Sequence, residues 1–146
     1  MEVEFVASVS PIVADPETSA AFYRDTLGLP LEGTHREYLF SERLAGVKHF
    51  GLWPLAQAAR ACFGLSEWPA GVSVPQASVE FEVANVAVAA QELADKGCQL
   101  LHGARIEPWG QQTARLSSPE GLLVAVCRTP WFHDQQPEES RANKRR

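Results

Sequence analysis

Cysteine is scarce and unpaired in this chain. The three present, Cys62, Cys98 and Cys127, share no C-x-x-C spacing. That argues against a disulfide framework or a sequence-encoded structural zinc site and suits a reducing cytoplasm. Basic charge is also short: 13 Lys and Arg against 18 Asp and Glu leave a net charge of -5. A nucleic-acid binder needs a basic face to neutralise phosphates, so no nucleic-acid partner is expected. No apolar run approaches the ~20 residues that span a bilayer. Glu2 and Glu4 stand where a secretory leader would be basic, so neither leader nor membrane partner is expected. G-x-S-x-G, P-loop and H-E-x-x-H patterns are absent, which leaves those chemistries without support.

What is present fits one globular domain of ordinary composition, with 45% hydrophobic and 21% charged residues. The stretch Phe5 to Ala14 is apolar and rich in β-branched residues, and it predicts a buried strand. Asp15-Pro16 then opens a helix that Gly28 stops. Leu31 to Arg36, Tyr38 to Ser41 and Val47 to Trp53 are expected strands, followed by a short alanine-rich helix ending at Gly64 and a Pro/Gly linker. The plan then repeats. Ser78 to Val83 alternates strictly, with Val79, Phe81 and Val83 on one face and Ser78, Glu80 and Glu82 on the other. Asn85 caps a helix ending at Gly97, and Gln99 to His102, Gln112 to Leu116 and Leu122 to Arg128 complete the second set of strands.

A strand, a capped helix closed by glycine, then three strands therefore occurs twice, which points to an α+β fold of two βαβββ modules. The expected domain covers residues 1–133, with module one at about 4–54, a linker with a short helix at about 55–76 and module two at about 77–130. Residues 134–146 read as a disordered tail, in which Arg141, Lys144, Arg145 and Arg146 are offset by Asp134, Glu138 and Glu139.

At these residues the chain resembles the vicinal-oxygen-chelate superfamily of glyoxalases, bleomycin-resistance proteins and dioxygenases. The carrying motifs are DPETSAAFYRDTLGL (Asp15 to Leu29), VEFEVANV (Val79 to Val86), ELADKG (Glu92 to Gly97), EPWGQ (Glu107 to Gln111) and SPEGLLV (Ser118 to Val124). The resemblance implies a sheet curled around a cleft, which two such modules line, and a homodimer. It implies, for the family's enzymes, a divalent metal held by His, Gln or Glu from the first and last strands of each module. Here those positions fall on Ser8, Ser78, Ala125 and Phe50, or on His49 if the register shifts by one. Hydroxyl, methyl and phenyl groups are poor or impossible ligands for such an ion, so no metal and no cofactor are expected.

Seven residues are candidates for the cleft. Glu80 and Glu82 share a strand face and can meet a cationic group, act as a base, ligate an unusual metal together with His49, or pair with Arg115 or Lys48. His49 complements Glu80 as a ligand or base, or is a structural histidine. Trp53 and Trp109 are expected to stack on a planar ligand, and Trp131 to serve in packing. Gln112 and Arg115 follow Trp109 on one strand, and Arg115 can clamp a carboxylate through two parallel N–H groups. One residue too many separates Gly110 from Pro119, which suggests a bulge. Together these residues describe a metal-independent, small-molecule-binding protein of the cytoplasm. The alternatives are a lyase, isomerase or dioxygenase with a relocated divalent-metal site, and an interaction protein with a vestigial cleft.

Overall fold

The computed structural model describes residues 1–34 and 37–133. The expected tail at 134–146 and the last two residues of the expected strand at 31–36 lie outside the described residues. Strand β1 (Val3–Val13) leads into helix α1 (Pro16–Ala20), which widens into a π-helical turn over Ala21–Thr26. Strands β2 (Leu39–Ser41) and β3 (His49–Pro54) follow, then helix α2 (Leu55–Phe63). The second half contains β4 (Ala77–Val83), helix α3 (Val86–Asp95), β5 (Leu100–Ile106), β6 (Gln112–Ser117) and β7 (Leu123–Arg128). A short 3-10 turn, Pro130–Phe132, closes the described chain.

Local chemistry explains the element ends. Asp15 accepts a hydrogen bond from the Thr18 amide (3.3 Å), and Asn85 from the Val88 amide (3.0 Å), so each helix has an orphan donor satisfied. Gly28 and Gly97 end the corresponding segments at φ +75° and +88°, a conformation that a Cβ disfavours. The π turn is visible in the bond from the Leu27 amide to the Phe22 carbonyl, five residues back (2.9 Å).

The seven strands form one curled, unclosed sheet in the order β2-β3-β1-β4-β7-β6-β5. β1 pairs in parallel with β3, β4 in parallel with β7, and β1 runs antiparallel to β4 at the centre. The duplication read from the sequence is thus spatial: each module places its last strand beside its first. The modules are unequal. Among its described residues, the expected strand at 31–36 shows a single bridge, Glu32 to Phe40.

Each module has its own apolar core under its helix. Val13, Ala20, Leu39 and Leu52 form one, with Tyr23, Leu31 and Phe50 packed against it. Val83, Val86, Ala89, Ala90, Ala114 and Val126 form the other, with Leu93 and Leu100. Burying a Val or Leu side chain contributes about 1.5–3 kcal/mol, so these clusters fix which face of each strand is left for the cleft. No described helix is long and apolar enough to cross a membrane.

Candidate functional site

The sheet face away from the two cores borders a cavity of about 360 Å³. Its register is set by one row of strand partners: His49 on β3 is opposite Ser8 on β1, Ser8 opposite Glu80 on β4, and Glu80 opposite Ala125 on β7. Phe50, named from the resemblance as a former ligand position, packs instead against the first core beside Tyr23. The register is the shifted one, because side chains alternate along β3 and the phenyl ring takes the apolar side. A bulge in β1 between Val6 and Ser8 lets both Ala7 and Ser8 reach the cavity.

One wall is built of rings. Tyr38, Phe40 and His49 lie within 10° of parallel, with centroids 5.3 to 5.9 Å apart. Gly51 makes this possible, since a Cβ there would overlap the Tyr38 ring and hydroxyl. His49 Nδ1 donates to Glu42 Oε1 (3.0 Å), because a carboxylate can only accept, and His49 Nε2 is hydrogen-bonded to Tyr38 Oη (2.7 Å). Burial pushes the Tyr38 hydroxyl far above its ordinary pKa, so it stays a donor. Trp53, Trp109 and Trp131 also border the cavity.

The other wall is polar. Glu80 Oε1 accepts from Ser8 Oγ (2.9 Å) and Gln111 Nε2 (3.2 Å), while Glu80 Oε2 has no hydrogen-bond partner among the described residues. Gln111 also donates to Thr129 Oγ1 (3.0 Å) and accepts from Trp109 Nε1 (3.0 Å). Arg115 is fully buried on β6. Its Nη1 donates to Glu107 Oε1 (2.7 Å) and to His102 Nε2 (3.0 Å). His102 is the neutral tautomer that this requires: its Nδ1 donates to the Gly103 carbonyl (2.7 Å), and burial beside Arg115 and Arg105 holds its pKa below the ordinary value. Burial would raise the Glu107 carboxyl, but Arg115, Thr113 and Arg105 outweigh it and hold it below the usual range. Nε and Nη2 of Arg115, and Ser78 Oγ, are buried with no partner among the described residues. An unmet buried donor costs about 1–3 kcal/mol, more when charged.

Of the seven candidates, His49, Trp53, Glu80, Trp109 and Arg115 line the cavity. Trp131, expected in packing, lines it too. Gln112 does not, and its neighbour Gln111 does. Glu82 lies beneath the surface, fully buried, where it accepts from the Thr129 amide (2.7 Å), Thr129 Oγ1 (2.9 Å), Cys127 Sγ (3.3 Å) and His133 Nε2 (2.6 Å). It thereby ties down the 129–133 segment that carries Trp131 and Phe132 to the cavity rim. Burial next to Glu80 and Glu82 drives the Cys127 thiol far up, so it is no nucleophile. Tyr38, Gln111 and Glu107 were not singled out from sequence. The only cues were the EPWGQ motif for the latter two and, for Tyr38, the glycine its ring requires at position 51.

A sequence model of the Glyoxalase-like domain family matches residues 6–129. The chain belongs to the glyoxalase-like family. Among solved structures, a glyoxalase/bleomycin resistance protein/dioxygenase superfamily member from Vibrio splendidus is 17% identical, with a TM-score of 0.55 over 86% of this chain and 98% of that one. A methylmalonyl-CoA epimerase from Streptomyces coelicolor is 19% identical, with a TM-score of 0.53 over 88% and 96%. A hypothetical protein from Bacillus halodurans is 18% identical, with a TM-score of 0.57 over 91% and 96%. At these identities the likeness is one of fold. No curated protein matches the chain.

Glyoxalase-like enzymes set a divalent ion between their modules, and the residues here do not fit one. The row offers His49, Ser8, Glu80 and Ala125. His49 is hydrogen-bonded at both ring nitrogens, to Glu42 and Tyr38, and Glu80 Oε1 accepts from Ser8 and Gln111. No group of three or more His, Cys, Asp or Glu able to hold a metal exists among the described residues.

Proposed function

We propose that this glyoxalase-like chain is a metal-independent small-molecule-binding protein whose cleft takes a compound with a planar, apolar body. The observation that carries the reading is the set of parallel rings, Tyr38, Phe40 and His49, forming one wall of a cavity of about 360 Å³. Pockets of roughly 300–1,000 Å³ with aromatic walls and a few placed polar groups suit small organic ligands. Offset stacking adds about 0.5–1.5 kcal/mol per ring pair beyond burial. The metal-supported chemistries of the family need several free imidazoles and carboxylates, and the corresponding row supplies two groups already held in hydrogen bonds.

The test is a thermal-shift screen with aromatic compounds, run on chelator-treated and untreated protein. A ligand at about 100 times its Kd adds about 2.7 kcal/mol of stability. The expected result is a set of aromatic hits whose shifts are the same with and without chelator. Stoichiometric metal in the purified protein, with hits lost on chelation, would replace this reading by a metal-dependent enzyme. A screen without any hit would favour an interaction protein.

A further inference from the structure

Building on the proposal that the cleft binds planar molecules, we infer that its ligand carries a carboxylate, seated on the Nε–Nη2 edge of Arg115. Arg115 is fully buried and borders the cavity. Glu107 and His102 take up Nη1, and among the described residues Nε and Nη2 have no partner. These two present parallel N–H groups along one side of the guanidinium plane. They match the two oxygens of a carboxylate, whereas a single carbonyl oxygen satisfies one of them poorly.

Charge agrees with geometry. Arg105 and Arg115 share one carboxylate, Glu107, which they meet at 3.2 and 2.7 Å. His102 is neutral, so the cluster carries one uncompensated positive charge. Ser78 Oγ, also buried and unpartnered, lines the same cavity and can donate to the ligand. Glu80 Oε2 is free as well, but Glu80 is only partly buried and water can reach it. Among the described residues it is therefore Arg115, not Glu80, that is buried with unmet bonding, and this favours an anionic over a cationic occupant. The Arg115 guanidinium carbon lies 5.4 Å from the centroid of the Trp53 ring, and both residues border the cavity, so a planar ligand seated there meets a ring and a guanidinium together.

Three probes of one shape separate the possibilities: naphthylacetate, naphthylacetamide and naphthylethylamine, titrated calorimetrically into the full chain and into Arg115→Lys. Lysine keeps the charge and loses the fork. Naphthylacetate should bind the native chain roughly tenfold or more tighter than the amide, with the amine weakest. In Arg115→Lys the preference for the acetate over the amide should shrink to about threefold or less. Equal binding of acetate and amide, or tightest binding of the amine, overturns the carboxylate assignment and leaves the aromatic-binding proposal standing. Failure of all three to bind overturns both. If Arg115→Lys does not fold, as thermal unfolding will report, the order of the three probes on the native chain decides alone.

Discussion

The wall that β2 and β3 contribute is made of rings, whereas the facing wall carries the Glu80 carboxylate of β4, the Gln111 amide just before β6 and the buried Arg115 guanidinium of β6. Both come from the same duplicated plan, with the last strand of each module parallel to its first. The two modules thus share this pairing of first and last strands while their cleft surfaces differ in kind. Rings tolerate a flat molecule in several orientations, because stacking depends weakly on in-plane rotation. Placed donors and acceptors select one orientation, because an unmet buried partner is costly. The two walls divide the work of holding a body and orienting its polar end.

The largest expected effect comes from breaking the polar wall where it is deepest. Glu107 is the carboxylate shared by Arg115 and Arg105, and its side chain is only 3% exposed. Glu107→Gln leaves Arg115 charged, buried and uncompensated, which should cost about 3–5 kcal/mol and lower Tm on the order of 10–20 °C. Replacing both partners at once, Arg115→Met with Glu107→Leu, should recover part of that loss, and calorimetry of the three proteins checks it. The same group predicts acid sensitivity. The Glu107 pKa lies below the ordinary carboxylate value, so its contribution is complete above that ordinary value and is lost as pH falls through the lower folded one. The slope of stability against pH in that window should be shallower in Glu107→Gln.

A smaller effect is expected from breaking the ring wall. A Cβ at Gly51 would come 2.6 Å from Tyr38 Cε2 and closer still to its Cζ and hydroxyl. Gly51→Ala should expel the Tyr38 ring, lose its bond to His49 and cost about 1–3 kcal/mol. Aromatic probes should then bind more weakly, while stability against acid keeps its native profile. If Gly51→Ala leaves probe affinity unchanged, the parallel rings are not a binding surface.

Much of this comparison was legible in the chain. The apolar runs, the caps Asp15 and Asn85 and the closing glycines are local signals, and they placed both modules. Depth and register are not local. Alternation puts Glu80 and Glu82 on one face, but only tertiary structure decides that the 129–133 segment covers Glu82 and leaves Glu80 at the cavity. Likewise His49 and Phe50 compete for the cleft, and the answer depends on which ring the first core can accept. The surplus residue near Gly110 suggested a bulge on β6, yet β6 pairs regularly with β7 and the irregularities fall between β5 and β6 at Leu100 to Arg105. The widening of α1 into a π turn has no signature in its sequence.

The smallest expected effect tests whether the symmetry of the scaffold is energetic as well as geometric. Both module helices start from a side-chain cap three residues ahead of the amide it meets: Asp15 to Thr18 and Asn85 to Val88. The second helix is α-helical over Val86–Asp95, and its Val86, Ala89 and Ala90 are buried in the module core, so its first turn is held from one side by packing and from the other by Asn85 alone. Asn85→Ala removes the acceptor and keeps the packing. It should cost about 1 kcal/mol, with faster hydrogen exchange at the Val88 amide and an unchanged Glu107-dependent pH slope. The mirror substitution Asp15→Asn keeps an acceptor of equal rank and should leave the first helix intact. If Asn85→Ala is silent in both stability and exchange, packing holds that helix start, and the two modules are alike in shape without being alike in what stabilises them.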